Sequence, residues 1–252
     1  MQNANLFMLV AVLLPPKALD ILGHVVEERM LQTPYGDFGP VALRQGVGQP
    51  PVWVGPYTGL STRTDPRATL FAARLLGVQR VLTWEEGVAL NTTLRRGQTQ
   101  IVTDYIDWTR HHPATFFVDK HVHLVSALVM ERKPVRTPFC PQMRAALHDV
   151  LPAAPEVVYV GVDGPRRETA AEARMFRLWG GDVIGSNLTP EVALANELGL
   201  CFAGLVTISD LSTDQPAIEP QGEFRAGLEA TLQVLPRLLR QFDALPECDC
   251  AQ

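Results

Sequence analysis

The stretch from Tyr159 to Asp210 constrains the chain most, because short apolar runs alternate there with helical spacing. One apolar run ends in Gly161-Val162-Asp163-Gly164-Pro165-Arg166. Helical spacing follows from Thr169 to Trp179, with Met175, Phe176 and Trp179 on one stripe, and Gly180-Gly181 stops it. Asp182-Val183-Ile184 reads as a short buried strand, and Pro190 opens a helix that Glu191 to Leu198 continues. Cys201 to Ile208 reads as another buried strand, delivering Ser209 and Asp210 at its carboxyl end. Strands and helices in alternation specify an α/β sheet, and ligands of such sheets gather beyond the carboxyl ends of the strands. A functional site is expected there.

Length and charge narrow the rest. A chain of 252 residues, 46% of them hydrophobic, suits one α/β domain with a full core. Residues 1–252 read as that single domain, with the tail 246–252 peripheral. The net charge of −5 argues against a nucleic-acid partner and gives no support for an anionic membrane surface. Leu6 to Leu14 is apolar but far short of the ~20 residues of a membrane span, and no basic segment precedes it. The expected location is the cytoplasm.

Four cysteines do not make a disulfide scaffold in a chain this long. Cys140 and Cys201 lie in apolar runs and read as core thiols, whereas Cys248-Asp249-Cys250 is a polar tail. That pair reads either as exposed thiols or as a strained redox disulfide, and zinc needs more ligands than the tail offers. Four of the six histidines cluster at positions 111, 112, 121 and 123. Nothing in their spacing supplies the further ligand a metal requires, so no metal is expected and an exposed loop is.

Residues 164–203, GPRRETAAEARMFRLWGGDVIGSNLTPEVALANELGLCFA, resemble the signature region of the purine nucleoside phosphorylase and methylthioadenosine phosphorylase family. In that family the run reads roughly GPRFET, AE, MFR, WG, DVIGMT, PE and GLCYA. Weaker likeness extends over most of the chain, including the turn Thr33-Pro34-Tyr35-Gly36, the helix from Arg67 to Gly77 and the turn Pro138-Phe139-Cys140-Pro141 before a helix over 142–151. The resemblance implies a nucleoside phosphorylase-like fold, a mixed central sheet flanked by helices. It also implies a homotrimer, a purine nucleoside as ligand, no cofactor, and phosphate as co-substrate. Some thermophilic members carry a C-terminal cysteine pair like the one here.

The phosphate-binding parts of the family depart from its pattern. A glycine-rich loop should follow the first strand, Phe7 to Leu14, presenting backbone N–H groups to phosphate. Here the residues are Leu14-Pro15-Pro16-Lys17, and the prolines remove two donors. Lys17 remains as a point charge. The strand Val52 to Val54 should be followed by Arg-His, but residues 52–62 contain neither; Arg63 and Arg67 are the nearby substitutes, and Arg67 opens a helix. After the strand begun by Val81 to Thr83, a phosphate- and base-contacting turn is replaced by Trp84-Glu85-Glu86-Gly87. Glu85 and Glu86 on that loop would repel phosphate, or one would act as a general base for water, or both are merely solvated.

The base and sugar contacts are partly kept. The aromatic residue after Gly-Pro-Arg is Arg167, and the ribose-contacting methionine is Ser186, beside Gly185. Gapless alignment puts Arg132 where the family has a ribose-proximal histidine from a neighbouring subunit. The base-recognising Ser/Thr-Asp-x-Asp becomes Ser209-Asp210-Leu211-Ser212, with Asp210 as the candidate catalytic acid. Glu168 would receive ribose hydroxyls or cap the helix with Thr169. Residues 222–245 read as a long amphipathic helix that Pro236 should kink. The reading is a divergent family member acting on or binding a purine nucleoside at the N-glycosidic bond, with ordinary phosphorolysis impaired. A non-catalytic nucleoside-binding or scaffold relative and a nucleoside hydrolase stand as alternatives.

Overall fold

The computed structural model describes residues 4–15, 17–55, 65–117, 137–216 and 222–248. Arg63, His121, His123, Arg132 and Cys250, all singled out above, lie outside them. The chain begins with β1 (Leu6–Ala11), a 3-10 turn (Ala18–Leu22) and the hairpin β2 (His24–Thr33) and β3 (Gly36–Gln45), and continues through β4 (Val52–Gly55) to helix α1 (Pro66–Leu75). Then come β5 (Arg80–Ala89), β6 (Thr99–Asp107), α2 (Pro141–Val150), β7 (Glu156–Gly161), α3 (Ala170–Leu178) and β8 (Val183–Gly185). Helix α4 (Glu191–Glu197), β9 (Cys201–Leu211) and α5 (Gly222–Ala244) complete the order.

The nine strands form one mixed sheet, ordered β2-β3-β4-β1-β5-β8-β7-β6-β9. An additional β5–β9 pairing closes the last five strands on themselves. β1 runs parallel to both β4 and β5, β9 runs parallel to β5, and β6 runs antiparallel to β9. Apolar residues cover both sides of the sheet. Leu70 and Phe71 of α1 pack with Val192 and Leu194 of α4 in one cluster. Met143 and Leu147 of α2 pack with Leu235, Leu238 and Phe242 of α5 in another. None of the described helices is long and apolar enough to cross a membrane.

The boundaries follow local chemistry. Asp65 caps α1 by accepting from the Arg67 N–H at 2.9 Å, with Pro66 at the first helical position. Thr169 caps α3 in a capping box: its hydroxyl accepts from Glu172 N–H at 3.2 Å, and the Glu172 carboxylate accepts from Thr169 N–H at 2.8 Å. Gly180, at φ 89°, supplies the left-handed residue that ends the helix. The hairpin turn after β2 is closed by Thr33, whose hydroxyl donates to the Gly36 carbonyl at 2.6 Å. Helix α5 runs through Pro236 as one element.

One sequence expectation is corrected. Trp84 to Gly87 is not a loop: β5 continues to Ala89, because β9 pairs with it from Arg80 to Ala89 and supplies the ladder that a loop would lack. At the start of the tail, Pro246 and Glu247 are exposed and Cys248 is half-buried. Arg80, buried in β5, donates from Nη2 to the carbonyls of Leu245 and Pro246 at 3.0 and 2.8 Å.

Thr169→Ala removes the hydroxyl that accepts from Glu172 N–H and keeps the backbone N–H that donates to the Glu172 carboxylate, so one half of the capping box is lost. It should lower stability by about 1 kcal/mol. In a thermal melt that corresponds to a fall of about 2–4 °C in midpoint; no fall would show that the cap contributes nothing.

Candidate functional site

An open cleft of about 1130 Å³ lies beyond the carboxyl ends of β1, β5, β8 and β9. Its walls include Leu13 to Pro15 after β1, Glu86 to Val88 in β5, Gly164 to Arg167 after β7, Gly185 to Asn187 at β8, Ser209-Asp210 in β9 and Phe224-Arg225 of α5. Alternation along β5 separates the two glutamates, since successive strand side chains point to opposite faces. Glu86 lines the cleft, and burial raises its carboxyl above the ordinary range. Glu85 is fully buried.

Glu85 organises the cleft floor from behind. Its Oε2 accepts from Ser186 N–H at 3.3 Å, Asn187 N–H at 3.1 Å and the Asn187 side-chain amide at 3.0 Å; its Oε1 accepts from Leu188 N–H at 3.3 Å. The Tyr159 hydroxyl joins this network and accepts from Asn187 N–H at 3.2 Å. Desolvation raises the Glu85 carboxyl, against the lowering effect of its donors, and burial with the Glu85 charge raises the Tyr159 phenol well above 10. Gly185 is required by this packing: a Cβ there would lie 2.7 Å from the Tyr159 hydroxyl and 2.9 Å from Glu85 Oε1. The expectation that both glutamates face an acceptor therefore fails for Glu85, whose oxygens are taken up by the 186–188 backbone. It has no exposure through which to activate a cleft water.

At the opposite wall, β9 carries an irregularity where Gly87 pairs with Ile208 and Val88 with Asp210. The extra residue is Ser209, whose hydroxyl donates to the Gly87 carbonyl at 3.2 Å. Bulges of this kind re-aim side chains at sites, and here the bulge sets Asp210 on the cleft wall. Arg167 Nη1 donates to Asp210 Oδ2 at 2.8 Å, and its Nη2 donates to the Leu211 carbonyl at 2.9 Å. The rest of the fork rests on Glu168, with Nε to Oε2 and Nη2 to Oε1 both at 3.2 Å. Glu168 is buried and also accepts from Thr213 N–H at 2.8 Å. It does not cap α3, because Thr169 and Glu172 do; it braces Arg167 against the loop after β9. Ser212 is buried away from the cleft, donating to Asp214 at 2.8 Å and accepting from Arg177 at 3.3 Å. Its register beyond the strand end, where Ser212 N–H donates to the Ala89 carbonyl, turns it inward.

Lys17 is exposed and does not line the cleft, although Leu13, Leu14 and Pro15 do. The cleft's cations are instead Arg96, Arg166, Arg167 and Arg225. Arg166 makes a double ion pair with Glu172 at 2.8 Å for each contact, and Arg225 of α5 contacts Glu229 at 3.1 Å. No local motif marks Arg96 or Arg225, because they reach the cleft from segments distant in sequence. His111 and His112 are both drawn to Asp163, at 2.9 and 3.5 Å; the His111 side chain is exposed, as expected of a loop, whereas that of His112 is buried against the carboxylate.

A sequence profile described as the phosphorylase superfamily matches residues 26–241. The chain is 31% identical over 246 residues to the S-methyl-5′-thioadenosine phosphorylase of Pyrococcus furiosus, covering 86% of this chain and 92% of that one. It is 39% identical over 152 residues to the probable S-methyl-5′-thioinosine phosphorylase of Methanopyrus kandleri, covering 57% of this chain and 55% of that one. Among solved structures, the methylthioadenosine phosphorylase of Schistosoma mansoni in complex with adenine superposes with a TM-score of 0.83 at 20% identity, over 98% of this chain and 95% of that one.

Glu191 adds a pH dependence. It is half-buried at the start of α4, accepts from the Thr83 hydroxyl at 3.2 Å, and has its carboxyl pushed up to about 8 by desolvation and by the Glu85 charge. Between the unfolded value of 4.5 and about 8 the folded chain holds a proton that the unfolded chain has lost. Stability from this group is therefore complete below 4.5 and lost as pH rises to about 8. Glu191→Gln should flatten the pH dependence of the melting midpoint across that window. An unchanged slope would show that Glu191 does not titrate there.

Proposed function

The chain belongs to the phosphorylase superfamily, within its purine nucleoside and methylthioadenosine phosphorylase family, and on that premise we propose that it cleaves the N-glycosidic bond of a purine nucleoside, with phosphate as acceptor at a weakened site. The observation that carries this reading is the convergence of Glu86, Gly185 to Asn187 and Ser209-Asp210 on one cleft at the strand ends. The base lies against Gly87, Val88 and Asp210, and the ribose against Gly185, Ser186 and Asn187. As the bond breaks, negative charge moves onto the leaving base; Asp210 accepts a hydrogen bond from the base once its ring nitrogen is protonated. Arg167 and Glu168 hold Asp210 in place, and Glu86 receives ribose hydroxyls.

Phosphate is the co-substrate, and no cofactor takes part. The cleft segment Leu13 to Pro15 is poor in backbone donors, since Pro15 has no N–H. Arg96, Arg166 and Arg225 supply charge in place of the backbone cradle. Arg166 and Arg225 are exposed and Arg96 is half-buried, and charge-assisted bonds from exposed guanidiniums are weaker and more salt-sensitive than preorganised donors in a dry loop. Phosphorolysis is therefore slowed through its acceptor rather than through base or sugar contacts. A hydrolytic route has only Glu86 of the glutamate pair to draw on.

Purified protein, incubated with 5′-methylthioadenosine, 5′-methylthioinosine, adenosine and inosine, should release free base in proportion to phosphate concentration. Asp210→Asn should lower kcat by about a hundredfold or more. Arg96→Ala or Arg225→Ala should raise the phosphate KM by about tenfold, leaving the nucleoside KM nearly unchanged. Equal release without phosphate would establish a hydrolase. Nucleoside binding without any release would establish a binding protein, and either result overturns the proposal.

The family resemblance also supports a homotrimer, and the chain carries exposed apolar side chains suited to burial in one, including Val25, Val26 and Met30 on β2 and Leu178 and Trp179 at the C-terminal end of α3. Light scattering at micromolar concentration should give about three times the chain mass of 27.7 kDa. A monomer mass would reject the trimer without touching the proposed chemistry.

A further inference from the structure

Away from the cleft, three sulfurs from distant parts of the sequence meet. Cys140 immediately precedes α2, Cys201 opens β9, and Cys248 lies in the tail beyond α5. Their Sγ atoms all lie within 4.8 Å of one another, and those of Cys140 and Cys248 are 3.7 Å apart. Cys140 and Cys201 are buried, and Cys248 is partly exposed. The tail offers one ligand among its described residues, and the core supplies two more, which no spacing rule along the chain reveals.

The surroundings suit charged sulfurs. Cys140 is the N-cap of α2, and its side chain makes no capping bond there. The partial positive charge of a helix N-terminus favours thiolate over thiol. Arg80 lies opposite Cys201 in the β5–β9 register, and its clasp on the Leu245 and Pro246 carbonyls fixes the tail two residues before Cys248. This places a buried guanidinium on the carbonyls of the tail just ahead of Cys248, a positive charge in the region that would hold the thiolates.

We propose that Cys140, Cys201 and Cys248 form a binding site for a soft, thiolate-seeking cation of the Zn²⁺ class. Zinc–sulfur bonds of about 2.3 Å in tetrahedral geometry place ligand sulfurs about 3.8 Å apart. The Cys140–Cys248 edge already has that length, and the other edges need to shorten by at most about 1 Å. Cys248, attached to neither helix nor strand, is the ligand that moves. Its partly exposed side leaves a fourth position for water. Three sulfurs exclude Mg²⁺ and Ca²⁺, which require oxygen ligands. Binding forms three metal–sulfur bonds and releases the thiol protons to solvent, with no change of oxidation state.

The test uses the full chain carrying Cys250→Ser, so that the neighbouring thiol cannot substitute, kept reduced and metal-free under argon. Titration with Zn²⁺ against a chromophoric chelator should give one equivalent per chain, and Co²⁺ should produce a thiolate-to-metal charge-transfer band. Zn²⁺ should also raise the melting midpoint. Adding Cys248→Ser, or separately Cys201→Ser, should weaken Zn²⁺ binding by at least about tenfold, and Cys248→Ser should leave nucleoside cleavage unchanged. Absence of stoichiometric binding in the Cys250→Ser parent would overturn the proposal. So would undiminished binding in both further variants, or a Cys140–Cys248 disulfide found by mass spectrometry in wild-type protein isolated without reductant.

Discussion

A carboxylate buried in the middle of a strand is the constraint on which the cleft depends. Removing an ion from water costs several kcal/mol, and the cost is offset only when its oxygens are filled with donors. Glu85 meets that condition by accepting from three consecutive backbone N–H groups, at Ser186, Asn187 and Leu188, and from the Asn187 amide. The loop after β8 has no strand partner to satisfy those N–H groups, so the glutamate takes the place of a strand. Loop and carboxylate each supply what the other lacks. Deleting the carboxylate would leave the Ser186 N–H and the Asn187 amide without this acceptor and the Asn187 and Leu188 N–H groups with the Tyr159 hydroxyl alone, and the 186–188 wall of the cleft would be less firmly held.

A second carboxylate, Glu168, plays the same part on the other wall. It is buried, and it fixes Arg167, which in turn fixes Asp210. The exposed Arg167–Asp210 pair is worth little by itself, since solvent screens it. The buried Glu168 end is what removes the freedom of the arginine and so gives the outer pair a defined geometry. Both walls thus follow one rule: a glutamate out of solvent positions the groups that face it.

That rule explains what was legible in the sequence. The alternation from Tyr159 to Asp210 gave the order of β7, α3, β8, α4 and β9 correctly, because hydrophobic period and cap chemistry are local. Thr169 and Gly180 marked their helix ends by residue type alone. The continuation of β5 through Glu85 and Glu86 was not legible: two adjacent carboxylates argue against a strand, and only donors about a hundred residues away make one of them tolerable inside. The arginines at the cleft were missed for the same reason, since Arg96 and Arg225 are neighbours of the site through topology rather than spacing. The position of Ser209 and Asp210 on the cleft wall was legible because a strand end is both a local signal and the place where α/β folds open their clefts.

Strand β5 connects the two chemistries of the molecule. Its first residue, Arg80, holds the tail beside the sulfur cluster, and Glu86, six residues on, faces the cleft. At about 3.3 Å per residue these ends lie about 20 Å apart, too far for any direct contact between the sulfur end and the cleft. Any influence passes through packing, because β5 is bonded on both sides, by β1 and by β9, and its register is shared with Cys201 at one end and Asp210 at the other. A shift of β9 along β5 large enough to disturb the sulfurs would also displace the Ser209 bulge. The sheet is stiff enough to resist such a shift, since a slip of one residue would turn every buried side chain of β9 to the wrong face. The same stiffness that isolates the two ends chemically is what keeps Asp210 aimed into the cleft.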